Sequence, residues 1–322
     1  MQVYAKWTDL RARHLNIAVA LGMFDGVHIG HQSIVRRAVL LAKECGGTSV
    51  VFSFRNHPLS VLAPHRLPLQ IGSPELREQI LRDLGVDVLL AIPFTKELAE
   101  QSPEDFLALL RQYLAPRYVV TGPNYTFGKK GKGTQRMLLR MGNAYGFQAE
   151  VCPAVIRGGR PVSSTRIRAL LDGGDLAEAN AFLGYPFSFI GRVVHGEQRG
   201  RTLGFPTANL LIPDTQAMLP NGVYAAHVWY EGTCYDGLVN IGNNPTFEGC
   251  SRRIEVHIRD FHEMIYDRAI RVAFLEKLRE EKKFASVDDL VKQIQRDRHQ
   301  AEPVWAREGI FSYGAVMQNS VE

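Results

Sequence analysis

The hydrophobic rhythm of the chain changes part-way along. In the first half, short continuous apolar or β-branched runs appear at "LNIAVAL" (15–21), "TSVVFSF" (48–54), "DVLLAIPF" (87–94), "YVVTG" (118–122) and "AEVCPAV" (149–155). Strands that are apolar throughout predict burial on both faces. Between them lie segments of helical spacing. From 31 to 45, Ile34, Ala38, Leu41, Ala42 and Cys45 recur on one face, with Arg36, Arg37 and Lys43 off it. "SPELREQILRDLG" and "SPEDFLALLRQYL" each open with Ser-Pro, an N-cap followed by a first-turn proline. Strand and helix alternating with short links predict a parallel sheet with helices on both faces.

After "GDLAEANAFLGYPF" the helical period gives way to extended segments: "FSFIGRVVHG", "TANLLIP", "GVYAAHVWYEGTCYDGLVNIG", "RRIEVHIRDF" and "AIRVAFLEKL". "EGTC" between two β-rich runs reads as a hairpin turn, and the set predicts a small antiparallel barrel. One last helix, "SVDDLVKQIQRDRHQAEPVW", opens with a Ser-x-x-Asp cap. A length of 322 residues suits two cores. The boundary is expected near Gly184, giving domains 1–184 and 185–322.

Composition narrows the class only slightly. Hydrophobic content of 45% and charged content of 22% are those of a globular protein. No apolar run approaches the ~20 residues that span a bilayer, and the N-terminus lacks the pattern of a signal peptide. Cys45, Cys152, Cys234 and Cys250 form no CxxC, which fits a reducing cytoplasm. A net charge of +5 and a pI near 9.0 favour anionic partners.

"ALGMFDGVHIGHQ" (20–32) carries the first concentrated chemistry. It follows a strand and opens a helix, the edge at which parallel sheets bind ligands. Gly22, Gly26 and Gly30 permit close backbone approach to phosphate oxygens, and the helix N-terminus offers free N–H groups. His28 and His31 fall on one helical turn and can donate hydrogen bonds to a triphosphate. A metal pair and a purely structural turn compete with that reading, although no carboxylate or cysteine stands at ligand spacing. "VSSTRIRALL" (162–171) puts Ser163, Ser164 and Thr165 at a helix start with Arg166 and Arg168 in the first turn. Arginines there oppose the helix dipole, a misfit that a bound anion repairs. "TGPNYTFGKKGKGT" (121–134) is not a P-loop, because Gly133 is followed directly by Thr134. It reads as a basic flap, and the short Lys129–Arg140 stretch is too small to predict a nucleic-acid surface.

In that order, "GMFDGVHIGH", "FRNHP" (54–58), "NYTFG" and "SSTRIR" closely resemble the adenylyltransferase half of the prokaryotic bifunctional riboflavin kinase/FMN adenylyltransferase (FAD synthetase) family. The resemblance implies a Rossmann-like nucleotidylyltransferase fold with ATP phosphates held by His28, His31, Ser164, Thr165 and Arg168. It also implies nucleotide contacts from Gly22, Phe24, Asp25, Gly26 and Asn124, and flavin contacts from Phe127 and His57. Two departures stand out: Asn56 where the family commonly has Pro, and Asn124 where it commonly has Asp. They leave open a working kinase with an impaired adenylyltransferase.

"GRVVHGEQRGRTLGFPTANL" (191–210) holds a loop, Gly196 to Gly204, whose Arg199 and Arg201 suit closure over phosphates. Thr207 and Asn209, two apart on a strand, share a face and can ligate a hard cation such as Mg²⁺. "NIGNNPTF" (240–247) supplies a second turn. In "RRIEVHIRDF" (252–261) Ile254, Val256 and Ile258 face one way and Glu255, His257 and Arg259 the other. Glu255 is therefore either a general base or a surface partner of an arginine, and periodicity does not choose. The second-half motifs resemble the riboflavin kinase domain throughout. The resemblance implies Mg²⁺–ATP at Thr207 and Asn209, with Gly196 beside the nucleotide. It makes Glu255 the base for the 5′-hydroxyl of riboflavin and puts Arg279 near the flavin edge. Riboflavin, FMN, FAD and ATP are then the expected partners, with no nucleic acid and no membrane.

Overall fold

The five apolar runs of the first half do build one parallel sheet, and a sixth strand joins it. The computed structural model describes residues 1–10, 14–196, 204–243 and 252–308. The strands are β1 (Gln2–Tyr4), β2 (Ala18–Leu21), β3 (Ser49–Phe54), β4 (Val88–Ile92), β5 (Tyr118–Thr121) and, after the two-residue strands β6 (Thr126–Phe127) and β7 (Gly133–Thr134), β8 (Gln148–Val151). Their order is β1-β4-β3-β2-β5-β8, with every neighbouring pair parallel. β1 escapes sequence analysis because it is a short edge strand whose residues carry no apolar run.

Helices cover both faces. Val19, Leu21, Phe52 and Val119 pack against Phe106, Leu107 and Leu110 of the helix Pro103–Tyr113. The alternate positions, among them Ala18, Ala20 and Val120, point the other way. There Ile34, from the helix α1 (Ile29–Glu44), lies 3.1 Å from where a Gly122 side chain would begin. From β2 the chain winds outward through β3 and β4 on one side and β5 and β8 on the other. The crevice beyond the carboxyl ends of β2 and β5 is thus a topological switch point.

The second half closes a barrel. β11 (Ser188–Val194), β12 (Ala208–Leu211), β13 (Gly222–Tyr230), β14 (Thr233–Asn243), β15 (Arg252–Ile258) and β16 (Ala269–Arg279) run antiparallel in the order β11-β12-β15-β14-β13-β16. β16 pairs back to β11. The hairpin expected at "EGTC" turns through Glu231 (φ 47°) and Gly232 (φ 85°). Two two-residue strands, β9 (Ile156–Arg157) and β10 (Arg160–Pro161), make a separate hairpin. The last helix, Val287–Glu308, is capped as expected: the Ser286 hydroxyl accepts the Asp289 N–H at 3.1 Å.

That last helix is fastened to β16 by a buried ion pair. Arg279 donates from Nε and Nη2 to the Asp297 carboxylate at 2.8 Å, and Asp297 is only 1% exposed. Asp297→Ala strands the guanidinium and is expected to cost about 3–5 kcal/mol, read as a lowered denaturant midpoint.

Packing divides the chain into two compact units. Among the described residues, one is Met1–Pro68 with Arg77–Ser163, and the other takes Leu69–Leu76 and the chain from Ser164 to Glu308. The helices Ser164–Asp172 and Leu176–Leu183, read with the first domain from sequence, thus pack in the second unit. Asn180 shows how: its amide donates to Phe274 O of β16 at 3.0 Å and its Oδ1 accepts from Phe187 N at 2.7 Å. In the same unit, Gln70 bridges in parallel to Gln216.

Candidate active sites

The turn from β2 into α1 sits at the switch point and is tightly wound. Phe24 (φ 53°), Gly26 (φ 72°) and Val27 (φ 32°) all adopt left-handed backbone. Its two histidines are organised by each other. His28 is the N-cap of α1, its Nδ1 accepting the His31 N–H at 3.2 Å. That bond places the His28 proton on Nε2, leaving a donor on the far side of the ring. The rings stack at 3.6 Å, and Phe24 meets His31 edge-on at 5.3 Å. A Cβ at residue 30 would lie 3.2 Å from the His28 ring, so Gly30 makes room for an imidazole. Phe24 is fully buried, so its ring supports the turn from inside.

The His31 Nδ1 is buried without a hydrogen-bond partner among the described residues, and so is the hydroxyl of Thr121 at the carboxyl end of β5. Buried polar atoms are normally paired, so orphans at a switch point suit a polar ligand. Desolvation, and after it the neighbouring His28 ring, holds the His31 pKa well below the ordinary 6.5. The folded chain therefore refuses a proton that the unfolded chain accepts below about pH 6.5. Burial pushes His257 in the barrel the same way. Stability present above about pH 6.5 is lost as pH falls. Thermal melts taken from about pH 7 down to about pH 5 are expected to show it, with a shallower slope for His31→Asn.

Other expected residues of this unit have local duties. Phe127 packs in the core beside Phe106 and Tyr125, so its ring does not stand open to a flavin. The His57 Nδ1 accepts the Leu59 N–H at 3.1 Å. Asn56 ties two strand ends together, donating to Phe94 O (3.1 Å) and Ser60 Oγ (3.1 Å) and accepting from Phe94 N (2.9 Å). Asp25 is half-buried, and Asn124 is exposed on the loop after β5.

In the second unit, Ser164 and Thr165 open the helix Ser164–Asp172. The two arginines that looked unexplained have partners: Arg166 pairs with Glu178 at 3.5 Å and lies over the Phe182 ring, and the Arg168 Nε donates to Leu69 O at 2.5 Å. Arg199, Arg201 and the "NPTF" end of the second turn lie outside the described residues.

Strand register assembles the barrel site. Glu255 of β15 stands directly opposite Asn209 of β12 and Asn240 of β14. Cross-strand partners share a face, so the carboxylate lies between two amides in one row. Asn240 Nδ2 donates to Glu255 Oε2 at 3.5 Å, and Arg253 pairs with the other carboxylate oxygen. Glu255, Thr207 and Arg279 line a cavity of about 320 Å³ with Phe284 and Leu290. Thr207, just before β12, also lines a second cavity of about 280 Å³ together with Asn209 and Gly196. A Cβ at Gly196 would fall 2.1 Å from the Asn209 amide, so only glycine lets that side chain lie where it does.

A family model described as FAD synthetase matches residues 10–166, and one described as riboflavin kinase matches residues 183–305. The Listeria monocytogenes bifunctional riboflavin kinase/FMN adenylyltransferase is 35% identical over 94% of this chain and 95% of its own. The Bacillus subtilis protein of the same name is 36% identical over 88% and 90%. The chain belongs to the bifunctional riboflavin kinase/FMN adenylyltransferase family. It is an enzyme of flavin cofactor biosynthesis that uses ATP, carrying a riboflavin kinase and an FMN adenylyltransferase. A solved structure described as a macrolide-efflux protein from Streptococcus pneumoniae shares the fold, at TM-score 0.82 and 35% identity, over 93% of this chain and 97% of that one. Among the described residues here, no helix is long and apolar enough to cross a membrane.

Within this family frame, sequence reasoning missed Asn240 and Arg253, whose meeting with Glu255 depends on register. It also missed Ser53, Arg77 and Thr121 around the β2–α1 turn. Ser53 and Thr121 had left a signal, as hydroxyls inside the apolar runs "TSVVFSF" and "YVVTG".

Proposed function

We propose that the two reactions divide between the two constellations, with kinase chemistry at the Asn209–Glu255–Asn240 row and adenylyl transfer at the β2–α1 turn. The observation that carries the division is the place of Glu255, between two amides in the wall of a cavity that Thr207 joins to a second one. Riboflavin enters the cavity beside Glu255, and ATP lies along Thr207 and Asn209. Glu255 takes the proton of the 5′-hydroxyl as that oxygen attacks the γ-phosphorus, and ADP leaves. Asn240 and Arg253 hold the carboxylate by one oxygen each. Arg279 serves the flavin edge indirectly, by pinning the last helix through Asp297.

Thr207 and Asn209 supply hydroxyl and amide oxygens, which suit Mg²⁺ that arrives on nucleotide phosphates and keeps most of its waters. The chemistry supplied by such an ion is neutralisation of phosphate charge. Asn209→Ala is expected to raise the Mg²⁺ concentration for half-maximal FMN formation at least about tenfold without altering FAD formation from supplied FMN. An unchanged Mg²⁺ dependence removes Asn209 from the site.

At the turn, a phosphate oxygen of FMN attacks the α-phosphorus of ATP and pyrophosphate leaves. The N-terminus of α1 and the His28 Nε2–H bind phosphate oxygens, and neutral His31 contributes its open nitrogen. In-line positioning and charge stabilisation suffice, with no covalent enzyme intermediate. The family motif also implies an ATP-binding role for Ser164, Thr165 and Arg168. Asn56, where the family commonly has Pro, is accommodated by three side-chain hydrogen bonds at this edge of the sheet. The functional boundary stays near Gly184, although the helices before it pack with the barrel. A cytoplasmic location completes the reading, supported by the free thiols of Cys45, Cys152 and Cys234.

A further inference from the structure

The β2–α1 turn holds two non-glycine residues, Phe24 and Val27, in left-handed backbone within four positions. Such backbone is unfavourable and persists only where its surroundings over-determine it. Cores alone do not fix a main-chain carbonyl; donors do. Two side chains from outside the turn converge on the carbonyl of Met23, the residue before Phe24. The Ser53 hydroxyl, fully buried on β3, donates to it at 3.0 Å. Arg77 Nη1 lies within 3.3 Å of the same oxygen, within 3.3 Å of Ser53 Oγ and within 3.2 Å of Phe54 O. One guanidinium thereby ties the start of the turn to the end of β3.

We infer that Arg77 and Ser53 are positioning residues for ATP in adenylyl transfer, latching the turn so that the N-terminus of α1 and His28 meet the phosphates. The inference rests on the assignment of that turn to ATP. The latch sets where the turn begins, and the turn sets where His28 caps α1, so its loss displaces every phosphate donor together. All three contacts come from the one nitrogen Nη1, so a lysine ammonium, with three donors on a more flexible stem, can replace only part of the arrangement.

The test is steady-state FAD formation from supplied FMN by the full chain, with riboflavin phosphorylation measured beside it. Arg77→Met is expected to lower kcat/KM for ATP about 100-fold, mostly through a raised KM for ATP. KM for FMN and the kinase rate should stay unchanged. Arg77→Lys recovers part of the loss, and Ser53→Ala gives a smaller rise in the same direction. Loss of turnover at an unchanged KM for ATP is what a merely weakened fold produces, and it overturns the inference, as does unaltered activity. If Arg77→Met also loses the kinase, Ser53→Ala decides by the same criterion. His28→Asn, run alongside, separates the two levels. If it leaves FAD formation intact, the assignment of the turn to ATP falls. If it stops FAD formation while Arg77→Met leaves KM for ATP unaltered, the latch alone falls.

Discussion

Glu255→Gln is expected to lower riboflavin phosphorylation about 100- to 10,000-fold, while the same protein converts supplied FMN to FAD at the normal rate. Glutamine keeps the size of the side chain and an oxygen toward Asn240, but it cannot take a proton. The competing reading of Glu255 is an ion-pair partner of Arg253 and nothing more. A half-exposed pair of that kind contributes at most about 1 kcal/mol, and its loss leaves turnover intact. Arg253→Met discriminates between them. It keeps the base and removes one of its two holders, so it should lose far less than Glu255→Gln. An intact rate in Glu255→Gln itself leaves the ion pair as the only role of Glu255. Chromatographic separation of riboflavin, FMN and FAD reads both variants in one assay.

His28→Asn is expected to be nearly the mirror image, with FMN formed at the normal rate and FAD formation reduced about 100- to 1,000-fold. The choice of asparagine matters because His28 is also the N-cap of α1. Asparagine caps well, so the helix start is preserved while the imidazole donor is lost. His28→Ala removes both and adds about 1 kcal/mol of destabilisation. Equal losses in the two variants, with intact folding, place the effect on the ring. If His28→Asn stays fully active and only His28→Ala fails, the histidine is a cap and the phosphate role is wrong.

Much of this architecture was legible in the sequence, because local pattern and local structure agree there. Continuous apolar runs gave parallel strands, Ser-Pro openings gave helix starts, and the alternation of Ile254, Val256 and Ile258 gave one buried face of β15. What was not legible depends on register or on distant partners. Nothing near Asn240 says that it will stand opposite Glu255, since the pairing is fixed across the barrel. Arg279 reads as a basic residue near a ligand edge, yet its guanidinium is committed to Asp297 on the last helix. Phe127 sits in a motif that resembles a flavin contact, and the packing of Phe106 and Tyr125 takes the ring into the core. Arg166 and Arg168 looked like an unmet charge because Glu178 and Leu69 O were invisible from their own turn. Short-range signals also do not show how the helices before Gly184 pack. The helices before Gly184 follow the first sheet in sequence, but Asn180 anchors them to β16.

The central claim is that one chain carries two separable sites, and a mixing experiment tests it most directly. Glu255→Gln and His28→Asn are each given riboflavin, ATP and Mg²⁺, alone and together, and products are followed in time. Alone, the first should leave riboflavin unconverted and the second should accumulate FMN. Together they should make FAD, because FMN from one variant is a substrate for the other. A mixture that makes no more FAD than either variant alone, from folded proteins, contradicts the assignment of two independent sites.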